Sequence, residues 1–148
     1  MSRAPVVLLS FLALAATGCV GMTPTTFVTA HEANWISIEI REGVPYDLAW
    51  TRCLHVLAKT FELKLISKEE GLIQTEWTPT LGPATPTGGL ASRATLLFSA
   101  DRRVLQMKLD SRFRVFGGGN NSFLYGFDTG VTGTVKSDIM AVVGRTTR

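Results

Sequence analysis

The segment Val104–Phe116 reads Val-Leu-Gln-Met-Lys-Leu-Asp-Ser-Arg-Phe-Arg-Val-Phe and alternates apolar with polar side chains over most of its length. An alternation with period two predicts a strand that has one face on an apolar core and the other in water. The apolar face carries Leu105, Met107, Leu109, Phe113 and Val115, and the polar face carries Gln106, Lys108, Asp110, Arg112 and Arg114. Because this pattern is typical of antiparallel sheets with one solvated face, we expect the segment to belong to such a sheet.

Four shorter segments predict further strands, because each alternates apolar and polar side chains in the same way. They are Trp35–Ile40, Phe61–Ser67, Leu72–Trp77 and Arg93–Ala100. The second and third form a predicted hairpin around Gly71, which can adopt the positive φ of a tight turn. In the second arm of this hairpin, Ile73, Thr75 and Trp77 are expected on one side. Thr78–Leu90 is rich in Pro, Gly and Thr, which predicts a loop.

Two segments instead repeat apolar residues every three or four positions, as amphipathic helices do. Tyr46–Thr60 follows Pro45, a residue suited to the first turn of a helix. Gly130–Val143 has apolar residues four apart and follows Asp128 and Thr129, either of which can cap a helix. The predicted order is β-α-β-β-β-β-α, an α+β fold in which both helices pack on one face of a single antiparallel sheet.

Composition limits the classes of protein to which the chain can belong. Its 148 residues suffice for about one domain. The net charge is +3 and charged residues make up 18% of the chain. These values are typical neither of a disordered acidic tail nor of a strongly basic nucleic-acid-binding protein.

The N-terminal residues have the pattern of an export signal. A positively charged residue precedes Val6–Ala16, an apolar run that is too short to span a bilayer but long enough for a secretory signal. The motif Ala16-Thr17-Gly18-Cys19 follows. This arrangement resembles the signal peptide of bacterial lipoproteins, which are cut before a cysteine that is then lipidated. The resemblance implies a signal peptide at residues 1–18 and a lipid on Cys19. Since Val20 rather than Asp follows, it also implies an outer-membrane location facing the periplasm.

Two other interpretations of the N-terminus remain open. One is ordinary secretion, which leaves Cys19 as a spare thiol, and the other is an uncleaved anchor, which the short apolar run disfavours. If the lipoprotein interpretation holds, residues 19–34 are expected to form a lipid-anchored tether, and residues 35–148 a single folded domain. Cys53 lies on the apolar face of the first predicted helix and is expected to be an inert core thiol.

The first helix and the hairpin also resemble a known family. Pro45–Trp50 opens the helix, and Glu69–Trp77 supplies the turn and second arm of the hairpin. The run is similar to the helix-grip domains of BamC-type lipoproteins, accessory parts of the outer-membrane β-barrel assembly machinery. The resemblance covers about Ile36–Trp77. It implies a lipid-anchored, non-enzymatic module that docks onto an envelope protein, with a link to outer-membrane protein assembly.

Five basic residues are candidates for a docking surface. They are Arg102, Arg103, Lys108, Arg112 and Arg114. The last three share the polar face of the long strand, and the first two lie at its turn. Such a stripe could bind anionic lipid head groups, a cell-wall polymer or an acidic partner. Alternatively, it is a solvated face whose charges pair with Glu76 or Glu39. The aromatic segment Phe123–Phe127 is expected to close the core, with a partner anchor as the alternative.

The sequence contains no convincing catalytic or metal-binding set. His31-Glu32 begins like a zinc-protease motif, but Trp35 stands where the second His is required. His55 is expected to be partly exposed on the first helix. We therefore predict no enzymatic activity, no metal and no cofactor. A nucleic-acid partner is not expected, because no aromatic stacking set is interleaved with the charges.

The alternative function is a periplasmic domain that binds a small apolar or lipid-like ligand between the first helix and the sheet. The packing of the interior distinguishes the two hypotheses. A ligand is excluded from this space if the space is filled by Trp50, Leu57, Ile73, Trp77, Leu97 and Met107. A cavity of ~300 Å³ or more would instead favour the ligand-binding hypothesis.

Overall fold

The computed structural model describes residues 23–79, 89–115 and 122–145. Within these residues the chain is an α+β fold with one antiparallel sheet of eight strands and two helices, which confirms the predicted class. The helices are α1 (Tyr46–Ala58) and α2 (Thr129–Val143). The strands are β1 (Phe27–Thr29), β2 (Ile36–Glu39), β3 (Leu63–Ser67), β4 (Leu72–Thr75), β5 (Thr78–Pro79), β6 (Leu90–Phe98), β7 (Val104–Arg114) and β8 (Phe123–Asp128).

The long strand β7 organises the sheet, as its alternation predicts. It pairs with β6 along one edge. The other edge is divided between two strands, because β2 pairs with Val104–Met107 and β8 pairs with Ser111–Arg114. The edge of β6 that faces away from β7 is divided in the same way between β4 and β5. The main path through the sheet is β1-β8-β7-β6-β4-β3.

Both helices and one face of the sheet contribute side chains to the main core. Leu57 of α1 and Ile139 of α2 are fully buried there together with Leu105, Met107 and Leu109 of β7. The predicted inward face of β7 is thus confirmed at these three residues. Phe113 is buried in a second cluster with Phe27 and Leu90, and Val115 lies beyond the end of β7 and is only partly buried. Trp50 on α1 lies 5.8 Å from the Phe98 ring of β6, measured between ring centroids, so aromatic packing also joins helix and sheet.

The structure differs from the predicted order at the two ends of the sheet. Phe27–Thr29, inside the segment expected to be a tether, pairs with β8, so the sheet begins before the predicted domain boundary at residue 35. Phe123–Asp128 forms a strand that was not predicted, because Gly126 interrupts its pattern. A Cβ at Gly126 would lie only 1.9 Å from the Val28 carbonyl oxygen, so the close approach of β1 requires glycine.

A bulge corrects the prediction for Trp77. Gln74 pairs with Thr95 and Thr78 pairs with Ser92, so the β4–β5 edge uses one more residue than β6 between these pairs. An extra residue reverses the side to which the following side chains point. Trp77 therefore lies on the sheet face opposite to Ile73, against the prediction that they share a side.

Candidate docking face

The sheet face opposite α1 and α2, which we call the outer face, carries an array of cations and aromatic rings. The array consists of Trp35, Trp77, Arg93, Lys108, Arg112, Arg114, Phe123 and Tyr125. Period-two alternation places the residues of β6, β7 and β8 there, and the bulge adds Trp77. Tyr125 is 51% exposed and Trp35 is 45% exposed, so the array is open to a partner.

At the centre of the outer face, a buried carboxylate pairs with two of the cations. Asp110 is 8% exposed, and its Oδ2 lies 3.2 Å from Nη2 of Arg93 and 3.6 Å from Nζ of Lys108. Its Oδ1 accepts a hydrogen bond of 3.3 Å from the backbone N–H of Ala33. Lys108 also forms an ion pair of 3.2 Å with Glu32. These contacts satisfy the buried charge, as burial requires, and they hold the chain between β1 and β2 against the sheet.

Arg112 differs from Arg93 and Lys108 because it has no acidic partner among the described residues. Its guanidinium carbon lies 4.6 Å from the centroid of the Trp77 ring and 4.7 Å from that of Phe123. Two aromatic rings therefore hold the guanidinium group by cation–π contact. Its Nε is buried and has no hydrogen-bond partner. Among the described residues, no carboxylate lies within ion-pair distance of Arg112 or of the exposed Arg114.

A pocket of about 220 Å³ adjoins this position. Trp77 and Tyr125 contribute aromatic side chains to its lining, and Asp110 and Arg93 contribute charged groups. Because Tyr125 pairs with Arg112 across β8 and β7, the pocket is next to the stacked guanidinium. Its volume is below the ~300–1,000 Å³ of typical small-molecule sites and is suited to one side chain of a partner.

The structure does not bring the five predicted docking residues into one stripe. Lys108, Arg112 and Arg114 lie on or beside the outer face, as predicted. Arg102 turns away: its guanidinium stacks on Tyr46, at 4.6 Å from the ring centroid, and donates to the Glu69 carbonyl oxygen. Arg103 lies in the turn before β7. With ~3.3 Å per residue along a strand, about 35 Å separate this turn from Arg114.

The predicted charge pairing of the stripe is also corrected. Glu76 forms an ion pair of 3.0 Å with Lys64, and Glu39 lies 3.7 Å from Arg145. Neither acidic residue pairs with a residue of the stripe. The sequence pattern places Trp77 on the opposite face and favours the core for Phe123, with a partner anchor as the alternative, so it does not predict these rings beside Arg112. The proximity of Trp77 and Phe123 to Arg112 depends on the bulge and on β8.

The other candidates from the sequence lie away from the outer face or at its rim. Cys53 is fully buried in the core, and this burial raises the pKa of its thiol to about 12, so the reactive thiolate is disfavoured. His55 is exposed on α1, and His31 contributes to the lining of the 220 Å³ pocket. Within residues 23–79, 89–115 and 122–145, no three His, Cys, Asp or Glu side chains are arranged to hold a metal ion.

The space between α1 and the sheet is occupied by protein side chains. Trp50, Leu57, Ile73 and Met107 are buried in the core, as the packing hypothesis requires, whereas Trp77 and Leu97 lie on the outer face. A larger groove of about 340 Å³ lies between the two helices, lined by residues that include Val56 and Val135. The interior site that the small-ligand hypothesis needs is therefore filled at these positions.

Three sequence predictions fall outside the described residues. They concern the signal peptide at residues 1–18, the lipidation of Cys19 and most of the loop at Thr78–Leu90. At the ends of that loop, Thr78–Pro79 and Leu90 belong to β5 and β6. In the described part of the chain, neither helix has the length and apolar character needed to cross a membrane.

Comparison with known proteins gives no assignment. No protein-family model matches the chain, and a search of curated proteins found no match.

Proposed function

We propose that the protein is a lipid-anchored, non-enzymatic module of the cell envelope that docks onto a partner protein through its outer face. The anchor is the lipid on Cys19, and the module faces the periplasm from the outer membrane. The sequence pattern that ends in Cys19 supports the anchor, and the arrangement of the outer face supports the docking role. A link to outer-membrane protein assembly follows from the resemblance to BamC-type domains.

The observation that carries the docking role is the stacked and unpaired guanidinium of Arg112. Trp77 and Phe123 hold the Arg112 guanidinium, which has no acidic partner among the described residues. Trp77 also lies 4.9 Å from the guanidinium carbon of Arg93, but Arg93 and Lys108 are paired with Asp110 and Glu32. Arginine and aromatic residues are enriched at the binding hot spots of protein interfaces. The outer face has both, and they are in contact with each other.

The packing of both helices on the other face supports the finer part of the proposal, a helix-grip fold of the BamC type. In such an arrangement the helices cover one face of the sheet and leave the other face available. The core residues Trp50 and Leu57 occupy the helix side. This packing favours the docking hypothesis over a ligand held between α1 and the sheet.

Because the sheet begins at Phe27, only a short segment of chain joins it to the anchor at Cys19. Phe27, where β1 begins, follows Cys19 by eight positions in the sequence. An extended chain covers at most ~3.6 Å per residue, so the lipidated cysteine lies within about 30 Å of the sheet. A lipid on Cys19 would hold the outer face close to the membrane, within reach of the periplasmic surface of a membrane-embedded partner.

Photo-crosslinking in intact bacteria tests the docking proposal. A photoreactive residue at Tyr125, on the outer face, is expected to give a discrete adduct with one envelope protein. The same residue at Lys136, exposed on α2, is expected to give none. Charge reversal by Arg112→Glu with Arg114→Glu should reduce the Tyr125 adduct roughly tenfold, because it replaces attraction by repulsion.

The matched control is a double charge reversal on the helices, Lys59→Glu with Lys136→Glu, which should leave the Tyr125 adduct unchanged. Equal adducts from the two photoreactive positions would contradict the proposal. So would a Tyr125 adduct that is insensitive to the reversal of Arg112 and Arg114.

A further inference from the structure

We infer that Arg112 binds a single carboxylate of the partner, carried by an acidic side chain whose neighbours in the partner are uncharged. This inference rests on the proposed docking function and specifies the chemistry of the segment that docks. It follows from the geometry of Arg112, from the charges around it and from the pocket beside it.

The geometry of Arg112 favours a carboxylate. A guanidinium group is planar and presents its N–H donors in a fork that matches the two oxygens of a carboxylate. The rings of Trp77 and Phe123, at 4.6 and 4.7 Å from the guanidinium carbon, restrict the plane of this fork before any ligand binds. Because less side-chain entropy is then lost on binding, such a preorganised donor binds more tightly than a mobile one.

The charge of Arg112 also lacks a partner. The Nε atoms of Arg112 and Arg93 are both buried without a hydrogen-bond partner, so Nε does not distinguish the two residues. They differ at the end of the side chain, because Nη2 of Arg93 is paired with Asp110 at 3.2 Å. In the described part of the chain, no acidic side chain is placed to do the same for Arg112.

The surrounding charges exclude a continuous polyanion as the preferred ligand. Asp110 and Glu32 carry negative charge close to the array, and they neutralise Arg93 and Lys108. Anionic membranes are recognised by clusters of ~4–8 unpaired basic residues. On the described outer face, only Arg112 and Arg114 lack an acidic partner, so a membrane surface is not the favoured ligand.

The 220 Å³ pocket indicates what flanks the carboxylate. It adjoins Arg112 between Trp77 and Tyr125, and the Asp110 carboxylate contributes to its lining. Glu32 and the cations Arg93 and Lys108 also line the pocket, and the two cations are paired with the two carboxylates. A further charged side chain placed there would lose hydration without gaining an unpaired partner. The pocket therefore fits an uncharged side chain of the partner, which agrees with one carboxylate at Arg112 and uncharged residues next to it.

Titration of the purified mature protein with two synthetic peptides tests the inference. The peptide acetyl-(Gly-Glu)4-amide offers spaced carboxylates, and acetyl-(Gly-Gln)4-amide is its uncharged control. Binding is followed by NMR through the Nε–Hε signals of the arginine side chains. We expect the Arg112 signal to shift with the acidic peptide and to stay in place with the control.

The variants Arg112→Lys and Arg103→Lys form a matched pair, since both retain the positive charge. Arg112→Lys removes the planar fork and should weaken binding of the acidic peptide by roughly tenfold. Arg103→Lys, in the exposed turn before β7 and away from the array, should change the dissociation constant by less than about twofold. Circular dichroism spectra of both variants establish that they are folded, and the Arg112 shift in the unmodified protein does not depend on any variant.

Four outcomes would overturn the inference. They are an unshifted Arg112 signal, equal binding by Arg112→Lys and the unmodified protein, equal losses in the two lysine variants, and binding to phosphatidylglycerol vesicles in place of the acidic peptide. These outcomes are separate from a failure of the proposed function. If the Tyr125 crosslink forms and depends on charge while Arg112→Lys binds normally, the docking proposal stands and only the carboxylate assignment is wrong.

Discussion

Replacement of Asp128 by alanine is expected to lower the free energy of unfolding by about 3 kcal/mol. Asp128 is 2% exposed and caps α2, since its Oδ1 accepts a hydrogen bond of 2.8 Å from the backbone N–H of Val131. Its Oδ2 accepts a second bond from the Thr26 hydroxyl at 2.5 Å, and its backbone N–H donates to the Ser111 hydroxyl at 3.1 Å. The substitution removes the cap and leaves the Thr26 hydroxyl without its acceptor.

The matched variant is Asp128→Asn, because asparagine is also a good helix cap and its amide can donate to the Thr26 hydroxyl. We expect it to lose less than about 1 kcal/mol. Urea unfolding, followed by tryptophan fluorescence, measures both variants. A loss in the alanine variant no larger than that in the asparagine variant would contradict the role of Asp128 in joining β1 to α2.

Leu57→Ala should destabilise the protein by about 2–5 kcal/mol. Leu57 is fully buried in the core shared by the helices and the sheet. Truncation removes buried apolar surface and leaves a cavity that close-packed neighbours fill only in part. Part of the helix layer would then lose its contact with the sheet, so the effect is expected to be among the largest of any single substitution.

Leu48→Ala is the control for this prediction, since it makes the same chemical change in the same helix. Leu48 is 40% exposed, and its truncation should change the free energy of unfolding by less than about 0.5 kcal/mol. The same urea experiment compares the two. Similar losses at positions 48 and 57 would mean that α1 presents a different face to the sheet.

The elements predicted correctly are those with a long and uninterrupted pattern. The alternation of Val104–Arg114 predicts which apolar side chains of β7 are buried, though not the burial of Asp110. The helical spacing of α1 likewise predicts its buried face. Asp128, one of the two predicted cap residues, caps α2. In each case a local rule and the tertiary packing favour the same structure, so the sequence alone is sufficient to predict the element.

The missed elements depend on neighbours that are distant in the sequence. β1 has three residues, too few to show a period, and its pairing with β8 spans most of the domain. Gly126 interrupts the alternating pattern of β8 and so weakens the prediction of a strand. The glycine is needed there because the Val28 carbonyl approaches too closely for a side chain. The bulge before β5 inserts one residue and moves Trp77 to the other face, which no short window of sequence reveals.

These misses also explain why the candidate site was only partly predicted. The polar face of β7 showed that Lys108, Arg112 and Arg114 lie together. It did not show that Asp110 is buried and also pairs with Arg93, because Arg93 comes from another strand. Nor could it show the two rings on Arg112. The distinction between paired and unpaired cations, on which the docking proposal rests, therefore required the three-dimensional arrangement.

The intact mass of the mature protein, purified from its native membrane, tests the central claim most directly. A lipid-anchored module predicts a polypeptide that begins at Cys19 and carries the added mass of a diacylglycerol group on that residue. Single acyl chains bind membranes only weakly, so a stable anchor requires at least two chains. A mature chain that begins at Met1, or one that begins after residue 19 without the diacylglycerol mass, would contradict the anchor and the envelope role derived from it.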